Sequence, residues 1–192
     1  MRRMRVIAGE HKGRRLQAVP GKETRPTSDK VKESLFNRIG PFFEGGRALD
    51  LFAGSGNLGI ESLSRGMDHV VFVDQQKQAI ETIHKNLDTL RLVSKAEVYR
   101  NDAFRALKAL SKREVQFDYI FLDPPYQKGF YQKLLKQMAE LNLTHEQTLL
   151  VLEHDTHLTL PDEINGFIQE RSEKYGGITA ITLYKRKEVT ND

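Results

Sequence analysis

Two regimes of apolar and polar positions divide this chain. From residue 47 onward, short continuous apolar runs alternate with amphipathic stretches of helical period. Residues 48–52, 69–74, 96–99, 117–123 and 148–153 read as strands. Helices are predicted around 58–64, along the face of Ala79, Ile80, Ile83 and Leu87, and over 103–110 and 130–141. Strands that are apolar throughout and separated by helices predict a parallel sheet covered on both faces, an α/β fold. The tail departs from this. Residues 167–175 and 179–184 flank Gly176-Gly177 and predict two antiparallel strands around a tight turn.

Before residue 47 the pattern is different. Residues 6–9 and 15–19 read as short strands joined by the turn-rich link 10–14, a small hairpin. Pro20-Gly21 marks a turn. A helix is expected to open near 25–29, with Thr27 or Ser28 as its cap and Asp29 in its first turn. Val31, Leu35, Phe36 and Ile39 share one face of it, and Gly40-Pro41 stops it. The expected organisation is a hairpin extension over residues 1–24 and an α/β body over 25–192.

Charge sharpens this division. Residues 1–32 carry ten Lys or Arg against three acids, whereas the remainder carries 20 basic and 23 acidic residues. The positive excess therefore sits at one end, which suits a polyanion such as nucleic acid; a solvated basic tail is the blander reading. With no cysteine and no H-x-x-x-H pair among six histidines, neither a disulfide framework nor a metal site is expected. No stretch approaches the roughly 18–20 apolar residues of a membrane span. The first five residues have charge but no apolar run behind them. A cytoplasmic, monomeric protein is the expectation.

Two runs carry chemistry. Asp50-Leu51-Phe52-Ala53-Gly54-Ser55-Gly56 lies where a strand passes into a helix. Its glycines let backbone approach a ligand, and the helix start offers N–H groups to an anion. Asp74 ends the next strand, 18 residues past Gly56, where an acid can bind ribose hydroxyls. Gly54, Gly56 and Gly59 complete a G-x-G-x-x-G string, so NAD is a rival to an adenosyl cofactor. Asp50 favours the latter, because a carboxylate can pair with the ammonium of a methionine moiety. Asp102 and Ala103, after the third strand, can meet the adenine edge; a helix cap is the alternative for Asp102.

The second run, Asp123-Pro124-Pro125-Tyr126, ends the fourth strand. An aromatic amino group is a poor nucleophile because its lone pair is delocalised. The Asp123 carboxylate and the Pro124 carbonyl can accept its two hydrogens and favour a tetrahedral nitrogen. The prolines stiffen that pair, and Tyr126 offers a stacking face for a base.

These runs resemble class I S-adenosyl-L-methionine-dependent methyltransferases that act on exocyclic amino groups. Residues 5–9, 12–14, 25–37, 50–56 and 58–66 are closely similar to the RsmD family, bacterial enzymes that methylate a guanine N2 of 16S ribosomal RNA. Asn57 stands where a small residue is expected. The resemblance implies a Rossmann-like sheet of seven strands with the last antiparallel, and guanine 966 as the target. It implies S-adenosyl-L-methionine held by Asp50, Phe52, Gly54, Ser55, Gly56, Asp74, Asp102 and Ala103. Asp123, Pro124 and Tyr126 would act on the guanine. Arg5, Lys12, Arg14 and Arg15 would meet ribosomal RNA or the small subunit, with Arg25 and Thr27 ordering the loop above the cofactor. The rivals are a DNA adenine-N6 methyltransferase, which uses the same tetrapeptide, and a non-catalytic ribosome-assembly factor.

Overall fold

The structure is a computed structural model that describes residues 4–21, 27–125, 127 and 129–188. The chain forms two compact units, residues 1–103 and 104–192. In the first, Ser28 caps α1 (Asp29–Ile39) by accepting from the Val31 N–H at 3.3 Å, and the Gly40 N–H closes the last turn on the Phe36 carbonyl at 2.8 Å. Leu35 and Phe36 are buried as predicted, but so is Lys32, with no exposed surface.

Strand β1 (Arg47–Asp50), helix α2 (Asn57–Ser64), strand β2 (His69–Asp74), helix α3 (Lys77–Leu90) and strand β3 (Ala96–Arg100) follow. β1 and β3 both pair with β2 in parallel, giving the order β3-β2-β1. The buried run 70–73 is apolar on both faces because a parallel strand is covered on both sides.

The second unit contains most of α4 (Ala103–Ser111), then β4 (Phe117–Leu122), α5 (Phe130–Glu140), β5 (Thr144–Asp155), β6 (Glu163–Ile164), β7 (Phe167–Tyr175) and β8 (Thr179–Arg186). β4 and β5 are parallel, whereas β8 runs antiparallel to β5, β7 to β8 and β6 to β7. The seven strands anticipated from sequence are β1–β5, β7 and β8. The two-residue β6 joins them, too short for any periodicity to announce it. β5 begins earlier than its apolar run because residues 144–147 are polar, while the Thr148 hydroxyl bonds the Phe117 carbonyl at 2.6 Å.

Among the described residues, the N-terminal hairpin forms with one isolated antiparallel bridge, Arg5 to Arg15, in place of two full strands. The physical reason lies in where its N–H groups go. Those of Ile7 and Ala8 bond the Glu61 carboxylate of α2 at 3.0 and 3.1 Å. That of Gln17 bonds Asn86 Oδ1 of α3 at 2.8 Å. These helix side chains supplement a short ladder, in which the N–H groups of Val6, Gly13 and Leu16 bond the carbonyls of Arg14, Val6 and Met4, while Met4, Val6, Leu16 and Val19 fill the space beneath.

Glu61 has no exposed surface. Besides those two amides it meets Lys32 Nζ at 3.2 Å and Arg65 Nε at 2.9 Å. Burial pulls the Lys32 ammonium below its ordinary pKa, and Glu61 opposes that shift. The Arg65 guanidinium also donates to the Pro41 carbonyl at 3.0 Å and lies 5.0 Å from the centre of the Phe36 ring. Glu61→Gln leaves two buried cations without their counter-charge. It should lower unfolding stability by about 3–5 kcal/mol, read as a lower urea midpoint of the full chain; an unchanged midpoint would contradict this account of the node.

Candidate active site

The loop after β1 turns on two left-handed glycines, Gly54 at φ 56° and Gly56 at φ 82°. An L side chain is strained at either position. The Gly56 N–H bonds the Ala53 carbonyl at 2.7 Å. Gly56 is also the N-cap of α2 and supplies no side-chain bond; the third N–H of that helix, on Gly59, goes to a carboxylate from β1. Among the described residues, space over Gly54 is open: a Cβ there would meet nothing within 4 Å.

Two acids frame the loop. Asp74, half-buried at the end of β2, accepts the Gly54 N–H on Oδ2 and the Gln76 N–H on Oδ1, both at 2.9 Å. Asp50, at the end of β1, is 4% exposed and accepts the Gly59 N–H on Oδ2 at 3.1 Å. Phe52 and Ser55 are half-buried along the loop. After β3, Asn101 Oδ1 accepts the Asp102 N–H at 2.9 Å; Asp102 is exposed, and Ala103 is buried at the start of α4. Thus all eight sequence-derived cofactor residues lie in the first unit, at or just beyond the carboxyl ends of β1, β2 and β3, where open α/β sheets bind ligands. A helix start whose cap residue carries no side chain, clear space over Gly54 and a strand-end acid fit an adenosyl group with an amino-acid tail.

In the second unit, Asp123 leaves β4 exposed, and Pro124 behind it is buried. Tyr126 lies outside the described residues. The register pairs Leu122 with Leu152, so the next residues along are Asp123, just past β4, and Glu153, within β5. The Tyr131 hydroxyl donates to the Glu153 carbonyl at 2.6 Å. Burial, then the Asp123 and Glu153 charges, push the Tyr131 hydroxyl well above the usual phenol range, so it stays a donor.

Of the candidate RNA contacts, Lys12 and Arg15 are exposed, and Thr27 is half-buried. Arg5 Nε pairs with Asp29 Oδ2 at 2.9 Å. Arg14 donates to the Thr89 carbonyl at 3.1 Å. Arg14 also lines a cleft of about 370 Å³ with His11, Arg91 and Lys95, extending the basic surface beyond the residues read from sequence. Arg25 lies outside the described residues.

Sequence reasoning missed Lys32, Glu61 and Asn86, all buried. Two left a signal. Lys32 begins a face with Leu35, Phe36 and Ile39, and Asn86 shares one with Ile83, Leu87 and Leu90, both at helical spacing. A polar residue on an apolar face must find internal partners.

Parallel strands bearing a glycine loop after the first and an acid after the second, with antiparallel strands closing the chain, define the class I methyltransferase fold. The chain belongs to the RsmD family: the family described as Conserved hypothetical protein 95 matches residues 4–185. The chain is 53% identical to the Bacillus subtilis (strain 168) protein YlbH over 96% of this chain and 100% of that one. It is 35% identical to the Haemophilus influenzae protein named Ribosomal RNA small subunit methyltransferase D, over 95% of this chain and 93% of that one. Among solved structures it matches the Escherichia coli protein yhhF at TM-score 0.81 and 31% identity, covering 97% of this chain and 99% of that one.

The third glycine of the string has a packing role. A Cβ on Gly59 would lie 2.3 Å from Phe72 Cε1 and 2.8 Å from Cζ, and Phe72 is fully buried. Gly59→Ala should push α2 away from β2, lowering stability by about 1–3 kcal/mol and weakening S-adenosylhomocysteine binding measured by calorimetry. Wild-type affinity in that variant would show that the loop tolerates the displacement.

Proposed function

We propose that this protein transfers a methyl group from S-adenosyl-L-methionine to the exocyclic N2 of a guanine in small-subunit ribosomal RNA. The observation that carries this reading is relatedness over nearly the whole chain to proteins named Ribosomal RNA small subunit methyltransferase D, from Haemophilus influenzae and Escherichia coli. The exposed strand-end Asp123, backed by the buried Pro124, supports the choice of an amino group as acceptor.

Bound S-adenosyl-L-methionine supplies an electrophilic sulfonium methyl; the S–C bond breaks as the N–C bond forms, and S-adenosylhomocysteine leaves. The protein's part is positioning and electrostatics. The Asp123 carboxylate and the Pro124 carbonyl accept the two N2 hydrogens and direct the nitrogen lone pair. The methylated nitrogen then gives up one proton, to Asp123 or to water. Asp74 orients the ribose, and the start of α2 receives the carboxylate of the methionine moiety. The base reaches the site by leaving its stack. Arg14, Arg15 and Lys12 meet RNA phosphates, so affinity falls steeply with salt.

Incubation with methyl-labelled S-adenosylmethionine and, separately, small subunits, naked 16S RNA and DNA tests the reading. Label should enter RNA as N2-methylguanosine, with none in DNA; label in DNA adenine would favour the rival methyltransferase, and no label in any substrate a non-catalytic factor. Asp123→Ala should lower kcat by about 10²-fold or more with S-adenosylhomocysteine affinity little changed. Near wild-type turnover would mean that another group holds the amino nitrogen.

A further inference from the structure

The loop proposed to hold the cofactor is tied from behind to the N-terminal segment. Asn86 is 2% exposed and makes three bonds. Its Oδ1 accepts the Gln17 N–H at 2.8 Å; its Nδ2 donates to the Gln17 carbonyl and to the Ser55 carbonyl, each at 3.0 Å. One amide therefore reads Gln17 as a neighbouring strand would, and spends its remaining hydrogen on the loop. The reversed amide would set oxygen against two carbonyls, so these partners fix its orientation.

Lys32 makes a second tie. Its three ammonium hydrogens match three acceptors: the Arg5 carbonyl at 2.5 Å, Asn57 Oδ1 at 2.7 Å and Glu61 Oε2 at 3.2 Å. Asn57 is the first residue of α2, directly after Gly56. A weaker contact joins the Ser55 hydroxyl to Met4 Sδ at 3.5 Å. Each tie has one end on residues 4–17 and the other on residues 55–57. The loop has two left-handed glycines and no ladder of its own, so it needs such support to keep one conformation.

We propose that Asn86 and Lys32 are positioning residues for the cofactor loop, which they hold in its binding shape by pinning it to the N-terminal segment. The inference rests on the reading of residues 54–57 as the adenosyl site. It gives the basic segment a second role: its outer side chains meet RNA while its backbone braces the cofactor loop. Loosening the brace weakens cofactor binding without touching the acceptor pair at Asp123.

The test is calorimetric titration of S-adenosylhomocysteine into full-length variants, with melting curves to establish folding at the working temperature. Asn86→Asp keeps the shape but turns a donor into an acceptor facing Ser55 and Gln17. It should raise Kd at least about tenfold, with the KM for S-adenosylmethionine rising in step and kcat at saturation within about threefold of wild type. Lys32→Met should raise Kd similarly, and Lys32→Arg should recover part of the loss. If Asn86→Asp does not fold, Asn86→Ala carries the test, with Kd expected to rise about threefold or more. A folded Asn86 variant and a folded Lys32→Met that both bind like wild type, with only their melting lowered, overturn the inference. Asp74→Asn separates this from the underlying reading: wild-type affinity in that variant refutes the adenosyl site itself. Weakened binding there, with none in the Asn86 and Lys32 variants, refutes only the brace.

Discussion

A carboxylate cut off from water must be matched within the protein, and in the first unit Glu61 imposes that demand. Two backbone N–H groups of the N-terminal segment, the Lys32 ammonium and the Arg65 guanidinium converge on it. Each partner is constrained in turn. Ile7 and Ala8 must turn away from a hairpin ladder, α1 must present Lys32 inward, and α2 must set Glu61 and its C-cap Arg65 on one face. Such a node contributes little net stability compared with an apolar core, yet it disfavours arrangements that leave any of its charges alone. The position of α2, and hence of the glycine loop at its start, follows from satisfying it.

That constraint joins parts that a reading by composition would keep separate. The basic excess of the first 32 residues suits an RNA phosphate backbone, and the exposed Lys12 and Arg15 remain available for it. The same stretch sends its backbone inward to Glu61 and Asn86. On the proposed function, one segment then serves both substrates through different atoms: side-chain charge for the polyanion, and main-chain hydrogen bonds for the loop that holds the methyl donor. The acceptor pair proposed at Asp123 and Pro124 belongs to the second unit.

Much of the fold is legible because parallel strands covered on both faces must be continuously apolar. The runs at 69–74 and 117–122 therefore stand out without help from tertiary structure. Ser28, the cap of α1, is legible because its side chain acts within one turn of its own position. The hairpin is only half legible. Its apolar residues show, but the amides of Ala8 and Gln17 find their partners in Glu61 and Asn86, some 53 and 69 positions away. Charge buried in a long-range network looks like solvated surface in a one-dimensional pattern, which is why Lys32 is unreadable except by its place on an apolar helical face. In the candidate site, the glycines and strand-end acids could be proposed from sequence because their chemistry is local. Glu153 is not, because only the pairing of β4 with β5 sets it beside Asp123.

The most direct measurement is nucleoside mass spectrometry of small-subunit ribosomal RNA from cells that lack this gene, and from the same cells carrying it back on a plasmid. The account predicts that N2-methylguanosine disappears from one position in the deletion strain, returns with the wild-type gene, and stays absent with Asp123→Ala. An unchanged N2-methylguanosine content in the deletion strain would contradict it.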